Sequence, residues 1–94
     1  MIISLDLQVS QSPEVYFQTI DNEAVLLDMK NGKYFGLDGT GTRIWQLINE
    51  YKSLQLVYNT MLQEYDVEPQ RLEKDLLALV ENFLERGLIS VNPD

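Results

Sequence analysis

With no histidine and no cysteine, chemistry in this 94-residue sequence would have to come from its fifteen carboxylates, its hydroxyls and its seven basic groups. A hydroxyl becomes a nucleophile only beside a base, and no Ser, Thr or Tyr here sits in a motif that supplies one. Glu73, Asp75, Glu81 and Glu85 could in principle provide an acid/base pair. At helical spacing, however, Glu81 and Glu85 fall on a polar face near Lys74 and Arg86, the pattern of a solvated surface. A metal would need an oxygen cage, and no calcium-loop spacing is present. The stretch Asp38-Gly39-Thr40-Gly41-Thr42 could cradle a phosphate with its amides, but it lacks a Walker lysine, and Asp38 places negative charge where the anion would sit. It reads as a turn and helix cap. Neither catalysis nor a cofactor is expected.

The elements that would position these residues change character at Leu37. Before it, Ile3, Leu5, Leu7 and Val9 alternate with polar residues, a strand signature. Val15 to Ile20, Ala24 to Met29 and Lys33 to Leu37 read as three further strands, with polar joints at Asp21-Asn22-Glu23 and Lys30-Asn31-Gly32 that predict an antiparallel meander. After Leu37 the period lengthens to that of a helix. Ile44, Leu47, Ile48 and Tyr51 share a face with Trp45 at its flank, and Asp38 or Thr40 can cap it. A second helix follows the N-cap Ser53, with Leu54, Val57, Tyr58, Met61 and Tyr65 on one side. The third starts at Glu68-Pro69 and ends at Arg86-Gly87. Leu88 to Val91 could add a short strand. Pro13, Pro69 and Pro93 each fall where an element should start or stop.

Composition bounds the rest. One domain over residues 1–94 is the ceiling for this length. The formal charge of −8 repels phosphate backbones and anionic lipid. Ile2 and Ile3 are the only apolar pair at the start, far short of a signal-peptide core, and no apolar run approaches the length of a membrane span. The absence of cysteine fits a reducing compartment, so cytoplasmic residence is expected.

Two features point to binding. On the third helix, Leu72, Leu76, Leu77, Leu79, Val80, Phe83 and Leu84 cover an arc of about 160° at roughly 100° per residue. A helix packed on a single core needs a stripe of little more than about 100°. The excess calls for a second surface, whether the last strand, a dimer mate or a ligand. The strand Lys33 to Leu37 is followed by a helix, so one of its edges could be left unpaired and take in a partner strand. Phe35 and Leu37 share one face of it, Tyr34 and Gly36 the other. A proline at Phe35 is expected to remove a strand donor and abolish such capture while leaving helical circular dichroism largely intact.

Residues Val25-Leu26-Leu27-Asp28, Asn31 to Asp38, Thr40-Gly41 and Ile44-Trp45-Gln46-Leu47-Ile48, with Asp75-Leu76, Leu79-Val80, Phe83 and Gly87-Leu88-Ile89, resemble the PqqD-like family of precursor-recognition elements in ribosomal peptide pathways. The Gly-Lys-Tyr-Phe-Gly-Leu run is most similar to the stand-alone leader-binding proteins of lasso-peptide biosynthesis. The family's usual Asn after Leu37 is here Asp38. The resemblance implies an α+β winged helix-turn-helix: an N-terminal three-stranded antiparallel sheet, then three helices. It further implies a non-catalytic peptide chaperone that binds a precursor's leader peptide as an added strand. The protein would then deliver that precursor to a separate leader protease and an ATP-dependent macrolactam synthetase. On this chain the strand contacts would be Tyr34, Phe35, Gly36 and Leu37, and the groove wall Leu72, Asp75, Leu76, Leu79, Val80 and Phe83. The same open edge could pair with a second copy of the chain.

Two other classes fit less well. A DNA-binding winged helix needs a basic recognition helix, whereas Glu68 to Arg86 holds five acids and three bases. An acidic carrier protein needs an exposed serine at a helix start; Ser53 occupies one, but outside an Asp-Ser-Leu setting and after strands that an all-helical carrier lacks.

Overall fold

The computed structural model describes residues 3–92, so that Ile2 and Pro93 lie outside the described residues. In chain order these residues form β1 (Val9–Gln11), β2 (Val15–Ile20), β3 (Glu23–Asp28), β4 (Lys33–Leu37), α1 (Gly39–Tyr51), α2 (Leu54–Glu64), α3 (Pro69–Glu85) and β5 (Ile89–Val91). The architecture is mixed α+β. Two antiparallel sheets are present among the described residues, a three-stranded one in the order β2-β3-β4 and a two-stranded one of β1 and β5.

The meander arises from its turns. Asp21 and Asn22 form a two-residue connection between Ile20 and Glu23, with Asp21 at φ 57°. Positive φ at the first central residue is what a tight hairpin requires for its twist to match the flanking strands. The β3–β4 connection is longer, running from Met29 to Gly32. Gly32 takes φ 65° and donates its N–H to the Asp28 carbonyl at 2.8 Å. The buried Asp28 carboxylate accepts from the Lys30 N–H at 3.0 Å and from Asn31 Nδ2 at 2.8 Å, so one side chain ties the turn together.

The N-terminal alternation does not produce the expected strand from Ile3 to Val9. Only Val9 of that run lies in β1. Leu7 and Val9 instead bond to the joint between α1 and α2: Leu54 N–H donates to the Leu7 carbonyl at 3.1 Å, and Val9 N–H to the Lys52 carbonyl at 2.8 Å. Ile3, Leu5 and Leu7 are half-buried against the core. Alternation reports which side chains face inward, and a segment crossing a helix joint satisfies it as well as a ladder does. β1 then pairs with β5, Val9 opposite Val91 and Gln11 opposite Ile89, bringing the two ends of the described chain together.

The helices begin where their capping residues dictate. Asp38 accepts from the Gly41 N–H at 2.8 Å, and Ser53 from the Leu56 N–H at 3.3 Å. Pro69 opens α3, and Gly87, at φ 72°, follows its end. Arg43 of α1 and Glu64 of α2 form a bidentate pair with Nε–Oε1 at 2.8 Å. The core joins Leu26 and Leu37 of the sheet to Ile44, Trp45 and Leu47 of α1 and to Leu76, Val80 and Phe83 of α3. At its centre Phe83 meets Trp45 edge-to-face at 5.2 Å and Phe35 at 5.6 Å. Each such pair contributes about 0.5–1.5 kcal/mol beyond burial. This aromatic row fixes β4 relative to the helices.

Candidate functional site

β4 is an edge strand: among the described residues it pairs with β3 on one side and with nothing on the other. Which of its backbone groups face the open side follows from the turn. A two-residue hairpin makes Ile20–Glu23 a hydrogen-bonded pair, and the pattern alternates from there, so Val25 and Leu27 also bond toward β2. Residues 24, 26 and 28 therefore bond toward β4, where their partners are Leu37, Phe35 and Lys33. The N–H and C=O groups of Tyr34 and Gly36 are left pointing outward. A proline at Phe35 would accordingly break a bond to Leu26 inside the sheet. The edge donors belong to Tyr34 and Gly36, contrary to the sequence-based expectation.

Side chains alternate in the same register. Phe35 is half-buried on Phe83, Leu37 is buried, and Tyr34 is 71% exposed on the opposite face. A methyl group at Gly36 would meet no atom within 4 Å, so the strand passes that point without obstruction.

Beside the open edge lies a cleft of about 570 Å³, with Phe35, Leu37, Ile44 and Leu79 as its apolar lining and Asp38 and Asp75 as its acids. Sharing Phe35 with it, a second hollow of about 350 Å³ extends past Lys33, Glu85 and Arg86. At the other end a third, of about 420 Å³, shares Ile44 and Asp75 and reaches Leu72 and Leu76. The first two lie along β4, with α3 running in the opposite sense on their far side, and the third continues the trough past the end of the strand, between α1 and the start of α3.

Of the α3 residues assigned to the wall, Asp75 and Leu79 line the cleft beside β4, while Leu72 and Leu76, both buried, border only the hollow beyond it. Val80 and Phe83 are fully buried and support the wall from behind. Leu77 and Leu84, which widen the apolar arc, are half-buried against the core, so the breadth of the stripe serves packing on that flank. Sequence reasoning did not assign Ile44, Asp38 or Arg86 to the site. Asp38 and Ile44 enter because the first turn of α1 folds back under Leu37. The adjacency of Asp38 to the strand was the available signal. In the sequence Arg86 reads as a helix-stop residue and a base on the polar face, yet its guanidinium sits 4.7 Å from the centroid of the Phe35 ring.

The glycine stretch behaves as a cap, with Asp38 engaging Gly41. Asp28 is the titratable group near the trough whose pKa is displaced: the Asn31 side-chain amide first, then the Asn31 and Lys30 backbone amides, hold it below the usual carboxylate value against the opposing effect of burial.

The family model for coenzyme PQQ synthesis protein D (PqqD) matches residues 23–89 of this chain, β3 to the start of β5. A solved structure of TbiB1 in complex with the TbiA(beta) leader peptide is similar at a TM-score of 0.82 and 34% identity, covering 90% of this chain and 99% of that one. A lasso peptide synthetase B1 complexed with the leader peptide is similar at a TM-score of 0.78 and 31% identity, covering 88% of this chain and 98% of that one. No match was found among curated proteins.

Proposed function

Since the chain belongs to the PqqD family, we propose that it is a non-catalytic adaptor that captures the leader peptide of a ribosomally made precursor, of the lasso class, by strand addition at β4. One observation carries the reading: β4 has an unpaired edge beside an apolar trough. The relatives' occupancy by leader peptides supports it.

In this reading residues 1–94 act as one peptide-recognition domain of winged helix-turn-helix type, with α2 and α3 as the helical pair. Tyr34 and Gly36 supply backbone bonds to the added strand. Phe35, Leu37, Ile44 and Leu79 hold an apolar anchor, and Leu72 and Leu76 continue the wall. Backbone pairing gives affinity and the trough gives selectivity, with no bond made or broken. The bound precursor is handed to a separate leader protease and a macrolactam synthetase in the cytoplasm. No helix among the described residues is long and apolar enough to cross a membrane.

Calorimetry of the purified protein against the leader half of the co-encoded precursor, with the core half as control, tests the proposal. Saturable heat is expected from the leader alone. Equal binding to both halves, or to neither, overturns it.

A further inference from the structure

The two ends of the trough carry opposite charge. At the Leu37 end the cleft is lined by Asp38 and Asp75 with no base among its lining residues. The adjoining hollow adds Asp66 and Glu68 against Arg71. Arg71 approaches Asp75 only to 3.8 Å, with the two side chains 80% and 67% exposed, so this contact is weak and open to exchange. At the Lys33 end stand Lys33 and Arg86. Of the two acids there, Asp28 is engaged by Lys30 and Asn31 within the turn, which leaves Glu85 opposite two bases. Arg86 is held over the Phe35 ring, an arrangement that fixes the guanidinium while leaving its edge donors free to grip a carboxylate.

We infer that the trough reads charge polarity: its peptide carries a Lys or Arg next to the apolar anchor at the Leu37 end and an Asp or Glu at the Lys33 end. The inference rests on the leader-capture reading and deepens it. At about 3.3 Å per residue in an extended strand, the distance from Arg86 and Lys33 to the acids beside Leu37 corresponds to about two to four peptide residues between base and acid. A peptide of the reversed charge order would bring like charges together at both ends. The charges thereby set the orientation and register of the added strand, which backbone bonds alone fix poorly.

The test is a set of double-mutant cycles read by calorimetry. Wild type, Asp75→Asn and Arg86→Gln are each titrated with the synthetic leader half and with copies in which one charged residue at a time is neutralised. Both protein positions are exposed, and circular dichroism verifies the fold of each variant. One leader base should weaken wild-type binding roughly threefold to fivefold on neutralisation and have no effect against Asp75→Asn; one leader acid should couple to Arg86 in the same way. If the leader binds wild type but every charged position is additive with both variants, or if it binds with no base and acid at that spacing, the charge inference fails and leader capture stands. If the leader does not bind wild type at all, both fall together.

Discussion

Asp28 and Phe35 each serve two purposes, and both illustrate how much a single side chain can fix in a small domain. Asp28 is buried yet charged, and it stays so because three donors from Lys30 and Asn31 replace the water it loses. Its folded pKa is lowered, so its contribution to stability is present above the unfolded value, about 3.9. That contribution is lost as pH falls through the lower folded value. Asp28→Asn keeps one acceptor but cannot titrate. We expect it to lower the urea midpoint at pH 7 and to flatten the decline in stability as the pH falls below about 4. A decline as steep as wild type would mean that other carboxylates govern the acid limb. Phe35 packs on Phe83 with one face and carries Arg86 on the trough side, so it belongs to the core and the site at once. Strand parity puts Phe35 and Leu37 on one face, where both core and groove were open to them; that Arg86 covers the Phe35 ring was not legible, because parity gives a face and not what covers it.

At the scale of elements, the pairing of β3 with β4 decides which backbone groups can reach a ligand. Gly36→Pro removes an outward N–H without touching the bonds to β3, and a Cβ at Gly36 would meet no atom within 4 Å. We expect it to weaken leader binding by about tenfold or more while helical circular dichroism is unchanged. Phe35→Pro should instead disrupt the sheet. A folded Gly36→Pro protein with wild-type affinity would place the added strand elsewhere. The opposite side of the meander is also an edge: among the described residues β2 pairs only with β3, and Tyr16 and Ile20 are 66% and 60% exposed. What distinguishes β4 from β2 is the neighbouring α3, which provides a wall for side chains.

For the molecule as a whole, the formal charge is −8 and the segment from Glu68 to Arg86 holds five acids against three bases, so neither carries the charge that nucleic acid requires. Leader capture and self-association would compete, because a second copy paired along β4 occupies the edge that the leader needs. Light scattering should therefore show any dimer of the free protein dissociating as the synthetic leader half is added. A dimer that persists in the leader complex would have to form through another surface.

Sequence alone determined the order of strands before helices, the three helices with their caps and the meander, because these depend on local turn chemistry and on the spacing of apolar residues. It also named β4 and an α3 wall, of which Asp75 and Leu79 border the cleft beside that strand. Tertiary structure decided what local rules cannot: that the first apolar segment braces a helix joint, and that β1 closes on β5 some eighty residues away. It also decided that Val80 and Phe83 lie behind the wall, and that Asp38, Ile44 and Arg86 border the trough. Residues distant in the chain share a cleft only through packing, and packing, unlike a turn or a cap, leaves no fixed spacing in the sequence.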